Sequence, residues 1–126
     1  MKNLYFEATQ STPRIHFDAS TGVLEMSGES YPENSFAFFA PVMAWIREYL
    51  SRTSGPVEAR INVSYLNTSS TKCVIDMLDC LEEAFRSGRN VSVNWYYDGE
   101  NDRAADTAEE FREDLTMPFT IIAVRE

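Results

Sequence analysis

Residues 57–65 read Val-Glu-Ala-Arg-Ile-Asn-Val-Ser-Tyr, and this strict alternation constrains the chain more than any other feature. Val57, Ala59, Ile61, Val63 and Tyr65 fall on one side of an extended strand. Glu58, Arg60, Asn62 and Ser64 fall on the other. A strand buried on both faces is almost continuously apolar. A strand with one polar face belongs to a sheet covered on one side only. The pattern recurs in Ile15 and Phe17, in Leu24 and Met26, and in Val91, Val93 and Trp95. The turn residues Ala19-Ser20-Thr21-Gly22 join the first two of these runs into a hairpin.

Helical spacing fills the intervals. Phe38, Val42, Trp45 and Tyr49, with Phe39, Met43, Ile46 and Leu50, recur every three or four residues. Asn34 or Ser35 is the expected cap, Pro41 predicts a kink or restart, and Gly55-Pro56 predicts the end. A second helix buries Cys73, Val74, Met77, Leu78, Leu81 and Phe85 and closes at Ser87-Gly88. A third, acidic helix after Asp98-Gly99 has Ala104, Ala108, Phe111 and Leu115 on its apolar side, and a last strand runs from Phe119 to Val124. The expected order is β-β-α-β-α-β-α-β, with Leu4-Tyr5-Phe6-Glu7 a candidate extra strand. The fold class is α/β in a two-layer α+β arrangement: one domain over 1–126, with a mixed β-sheet and helices mainly on one face. The open face carries Arg60, Asn62, Ser64, Asn94 and Tyr96.

Between the alternating strand and the second helix lies Leu66-Asn67-Thr68-Ser69-Ser70-Thr71-Lys72. A helix start leaves backbone N–H groups without partners and carries the positive end of the helix dipole. Ser and Thr are ordinary caps there, but one cap needs one hydroxyl. Four in a row also suit a phosphoryl group, with Lys72 as a nearby cation. The residue types alone do not choose among Thr68, Ser69, Ser70 and Thr71.

Other chemistry is poorly supported. The net charge is −9, which opposes nucleic-acid and anionic-membrane binding and suits a protein partner. Acidity is concentrated between Asp98 and Asp114, as a solvated helix face or a docking surface for a basic partner. His16 is the single histidine and has no partners spaced for a metal site or triad. No phosphate-cradling or dinucleotide glycine motif occurs. Asp98-Gly99-Glu100-Asn101-Asp102 is oxygen-rich but lacks the EF-hand pattern. Trp95-Tyr96-Tyr97 has no basic groove for single-stranded nucleic acid. Asp76, Asp79, Glu82 and Glu83 read as a solvated face of the second helix rather than an acid–base pair. Cys73 and Cys80, about 10 Å apart along that helix, read as small core residues in a reducing compartment. No metal or cofactor is expected, no run is long enough to span a membrane, and the start lacks a signal-peptide core, so the expected location is cytoplasmic.

The chain resembles the SiaC family of bacterial regulatory phosphoproteins. The resemblance is carried by Thr12-Pro13-Arg14-Ile15, Asp18 through Gly22, Ser27 through Asn34, Pro41 with Trp45 and Tyr49-Leu50, Leu66 through Cys73, and Trp95-Tyr96-Tyr97. That family is similar in logic to STAS domains, small mixed folds phosphorylated at a hydroxyl that opens a helix after a strand. The resemblance implies a non-enzymatic partner-switching regulator with Thr68 as phosphoacceptor. It implies a serine/threonine kinase, a PP2C-type phosphatase, and a GGDEF diguanylate cyclase activated by the unmodified form to promote aggregation or biofilm formation. Asn67, Thr68, Ser69, Ser70 and Lys72 are the expected partner contacts. Phosphorylation would repel an acidic partner surface or block close contact by its bulk. The alternative reading is an anti-anti-sigma factor that captures an anti-sigma kinase.

Overall fold

A computed structural model describes residues 1–125. Six strands form one sheet: β1 Leu4–Phe6, β2 Arg14–Phe17, β3 Val23–Ser30, β4 Val57–Leu66, β5 Val91–Asp98 and β6 Phe119–Val124. Three helices alternate with the later strands: α1 Ser35–Arg52, α2 Thr68–Arg86 and α3 Asp102–Arg112. The strands lie side by side in chain order. The first three pair antiparallel, and β3 through β6 are parallel.

This order accounts for the one-sided cover. Each helix joins two neighbouring parallel strands, and all three crossovers advance in the same direction across the sheet. Right-handed crossovers then place all three helices on one face. The core lies between, from Ile15, Phe17, Leu24 and Met26 on the antiparallel side to Val93 and Trp95 on the parallel side. Trp45 stacks on Tyr49 at 4.9 Å, and its Nε1 donates to the Lys2 carbonyl at 2.8 Å, tying β1's approach to α1.

The expected mixed, two-layer arrangement is what the chain adopts, and the short strand β1 is present. Several local expectations need correction. Pro41 neither breaks nor restarts α1. Pro41 and Ala37, the residue whose carbonyl Pro41 cannot bond, are both exposed, so water can take the missing donor's place. The helix ends at Arg52, before Gly55-Pro56, because the N–H and hydroxyl of Thr53 both close on the Tyr49 carbonyl. Leu115 lies beyond the end of α3.

Tyr65 does not join the apolar face of β4. Opposite β4, Gly28 pairs with Val63 but Glu29 pairs with Tyr65, so Ser64 is an extra residue that interrupts the alternation. Gly28 has φ +110°, a conformation L side chains rarely adopt, which fits the irregularity on its side of the ladder. Tyr65 is 54% exposed and pairs with Tyr31 at 6.0 Å, while Leu66 packs against the core instead.

Glu82 is the other departure. It is buried, not solvated. Its carboxylate accepts from the N–H groups of Thr116 and Met117, both at 2.9 Å, from the Thr116 hydroxyl, and from Arg86 Nε at 2.7 Å. Burial pushes its pKa up, but these donors outweigh burial and lower it to about 2.

Candidate functional site

The hydroxyl run lies where β4 hands over to α2. Asn67 is the N-cap, and its Oδ1 accepts from Ser70 N–H at 2.9 Å. Asn67 is itself held by β3 and the loop after it: its N–H donates to Ser30 O at 2.9 Å and its Nδ2 to Pro32 O at 3.3 Å. The helix therefore starts at a point fixed by a neighbouring strand.

The four hydroxyls divide into different environments. Ser70 is buried, with its Oγ 2.7 Å from Ser30 Oγ and 3.0 Å from Ser35 Oγ. Ser69 Oγ lies 2.7 Å from Ser35 Oγ and 3.3 Å from Asn67 Oδ1. Thr71 is half-buried. Thr68, the first residue of α2, is exposed, and among the described residues its hydroxyl makes no hydrogen bond.

Ser35 is the first residue of α1, so its bonds to Ser69 and Ser70 bring two helix N-termini together. Neither helix has an acidic residue in its first turn. The positive ends of both dipoles therefore come together near Thr68 with no acidic side chain in either first turn, a setting favourable to an anion. Lys72 is exposed and paired with Asp76 at 2.8 Å, a contact that raises its pKa. Its ammonium is thus engaged one turn further along α2.

Sequence reasoning placed Asn67, Thr68, Ser69, Ser70 and Lys72 at one helix start, and the fold keeps them there. It missed Ser30 and Ser35, which complete the network from β3 and α1. Ser35 reads as a cap for its own helix, and no local pattern marks Ser30 as a partner for Ser70. Among the described residues there is no group of three or more His, Cys, Asp or Glu side chains arranged to hold a metal. No helix among them is long and apolar enough to cross a membrane.

Comparison with known proteins gives consistent matches. The family model for SiaC family regulatory phosphoproteins matches residues 6–124. Apo-SiaC from Pseudomonas aeruginosa is 48% identical in sequence; the match covers 98% of this chain and 100% of that one, with a TM-score of 0.94. A chain in the crystal structure of diguanylate cyclase SiaD in complex with its activator SiaC, from the same organism, is 49% identical. There the coverage is 96% and 99%, with a TM-score of 0.94. An uncharacterised protein of P. aeruginosa strain UCBPP-PA14 is 49% identical over 123 residues, 98% of each chain.

Proposed function

The chain belongs to the SiaC family of regulatory phosphoproteins, and on that premise we propose that its unphosphorylated form binds and activates a GGDEF diguanylate cyclase, with Thr68 as the phosphoacceptor. The family's members are regulators rather than enzymes, and the relative in the solved complex is the activator of a diguanylate cyclase. A cognate serine/threonine kinase adds the phosphoryl group and a PP2C-type phosphatase removes it. The output is a rise in cyclic di-GMP that promotes aggregation or biofilm formation, and the protein acts in the cytoplasm.

One observation carries the choice of Thr68: it is the exposed hydroxyl of the four and opens α2 without a bonding partner of its own. Ser69 and Ser70 are held in a network that a kinase would have to dismantle. The two helix N-termini favour the charged product. The surroundings also support a switch at this position. Tyr31, Phe36 and Tyr65 are exposed apolar residues on segments that meet the start of α2. A phosphoryl group adds about −1.5 to −2 charges. A partner closing over such a surface would have to strip water from that dianion, at a cost the neutral hydroxyl does not impose.

Isothermal titration of a GGDEF cyclase from the same organism tests this reading. Thr68→Asp should bind the cyclase about tenfold more weakly or worse, equivalent to about 1.4 kcal/mol or more, and should fail to raise cyclic di-GMP synthesis. Thr68→Ala should bind like the unmodified protein and accept no phosphate. Unchanged cyclase affinity in Thr68→Asp, or full phosphorylation of Thr68→Ala, removes Thr68 from the role. The anti-anti-sigma alternative uses the same site but predicts recovery of an anti-sigma kinase instead of a cyclase.

A further inference from the structure

The two edges of the sheet are protected to different degrees. An edge strand presents unpaired backbone N–H and C=O groups, and soluble proteins blunt such edges by shortness, charge, proline or bulges. β1, at one edge, is 3 residues long. β6, at the other, runs 6 residues, Phe-Thr-Ile-Ile-Ala-Val, with no charge, proline or glycine. Its register against β5 is unbroken. That is the composition of a segment that pairs readily with another strand.

The hydrogen bonds fix which groups of β6 are free. Val93 N–H donates to Pro118 O at the start of the pairing with β5, and Gly99 N–H donates to Val124 O at its end. Between these points a parallel ladder uses the backbone groups of every second residue on β6. Thr120 and Ile122 therefore bond toward β5, and the N–H and C=O of Phe119, Ile121 and Ala123 point outward. One outward group is guarded: Arg112 Nη1 donates to Phe119 O at 3.4 Å. Among the described residues no further strand pairs with β6 on that side.

We propose that β6 is a self-association edge, pairing antiparallel with β6 of a second copy about a two-fold axis at Ile121. The outward residues are spaced symmetrically about Ile121, so a single register satisfies all of them. Ile121 exchanges bonds with its counterpart, and Phe119 with Ala123 of the second copy. Directly opposed side chains share a face of the sheet. Both helical layers therefore stay on one side, where the two half-buried Ile121 side chains meet. On the other face Thr120 opposes Ile122 of the second copy. Charge selects a second copy over an arbitrary strand. The net charge of −9 opposes association in general, but the seam itself is uncharged. Just beyond it, Arg125 continues the helix-side parity of Phe119 and falls opposite Met117 of the second copy, close to the exposed Glu113 and Asp114 of that copy. These acids follow Arg112 at the end of α3, where the helix dipole adds negative potential. The contact is self-complementary and occurs on both sides of the axis. β5 and β6 separate the seam from β4 and the start of α2, so pairing leaves Thr68 open in both copies.

The test is sedimentation equilibrium of the intact chain up to about 1 mM, a range that captures weak association. The parent should show a concentration-dependent equilibrium between monomer and dimer. Ala123→Pro removes an outward N–H and leaves the β5 ladder its donors; it should weaken dimerisation about tenfold or more. Asn62→Lys, exposed on the open sheet face, should match the parent. Ile121→Cys reads the register directly. The Cα atoms of a bonded antiparallel pair stand about 5.5 Å apart, within disulfide reach. Oxidation of this variant should give a covalent dimer that the parent, with Cys73 and Cys80 alone, does not give. Thermal unfolding checks that the variants fold, and if Ala123→Pro does not, the Ile121→Cys crosslink decides. A parent that stays monomeric throughout the range overturns the proposal. So does a folded Ala123→Pro that dimerises like the parent, or an Ile121→Cys that fails to crosslink. A monomeric parent whose folded Ala123→Pro variant loses affinity for a GGDEF cyclase would assign the edge to a partner's strand and overturn the proposal as well.

Discussion

Ser30 Oγ and Ser70 Oγ lie 2.7 Å apart across 40 residues of sequence, and both side chains are fully buried. This contact pins the third residue of α2 to the end of β3. With Ser35 it ties two helix starts and a strand into one polar cluster beneath an exposed Thr68. A buried hydroxyl that loses its partner costs about 1–3 kcal/mol, more than a satisfied pair contributes.

The hydroxyls should therefore separate by stability as well as by position. Ser70→Ala strands Ser30 and should lower the unfolding free energy by about 1–3 kcal/mol. Thr68→Ala should stay within about 0.5 kcal/mol of the parent. Urea midpoints measured side by side check this. Equal shifts for the two variants would mean that the serine cluster has no structural role.

Glu82 should shape the acid limb of stability. Its folded pKa of about 2 lies below the ordinary value of 4.5. The unfolded chain therefore binds the proton more tightly. The carboxylate's contribution is full above about pH 4.5 and is lost as pH falls from there through about 2, amounting to roughly 3 kcal/mol. Glu82→Gln should lower stability at pH 7 and flatten the dependence between pH 5 and 2. A parallel downward shift with the slope unchanged would assign that slope to other carboxylates.

Arg89 joins the ends of α1 and α2. Its guanidinium donates to the carbonyls of Leu50, Thr53 and Gly55 and to Thr53 Oγ1, and it lies over the Tyr49 ring at 5.9 Å. Arg89→Ala should cost about 1.5–3 kcal/mol, the range for hydrogen bonds from a charged donor. Arg89→Lys should recover little of it, because an ammonium cannot reproduce the planar fork. Chemical denaturation of the pair decides; near-complete rescue by lysine would reduce Arg89 to a point charge.

Two glycines with positive φ should respond differently to alanine. Gly88 has φ +103° and open space around a new Cβ. It closes α2 by donating to Phe85 O while Arg89 N–H bonds Ala84 O. Gly88→Ala should cost about 1 kcal/mol through backbone strain alone. At Gly22, φ is +76° and a Cβ would stand 2.2 Å from the Pro56 carbonyl oxygen. Gly22→Ala must displace the backbone before β4 and should cost clearly more. Thermal midpoints compare the two; an equal loss would show that the Pro56 segment yields freely.

Much of the fold was legible because its signals are local. Alternation in Ile15–Phe17, Leu24–Met26 and Val91–Trp95 marks strands with one buried face. The three-and-four spacing of Phe39, Val42, Ile46 and Tyr49 marks α1, and Asn67 followed by hydroxyls marks the start of α2. Such patterns arise from the geometry of a few neighbouring residues, which the chain specifies by itself. A crossover helix between neighbouring parallel strands then leaves little freedom over which face it covers.

The remainder depended on partners distant in sequence. Tyr65 continues a perfect alternation, yet the extra residue at Ser64 opposite Gly28 and Glu29 removes it from the core. Glu82 sits among acids that read as solvent-facing, until the loop at Thr116–Met117 supplies the donors that make burial of a carboxylate tolerable. Thr68, Ser69, Ser70 and Thr71 are near-equivalent in sequence. Ser30 and Ser35, reaching the run from β3 and α1, separate two of them from the exposed Thr68. Local periodicity is a property of the chain. Burial and hydrogen-bond satisfaction belong to pairs of residues, and only the folded structure brings those pairs together.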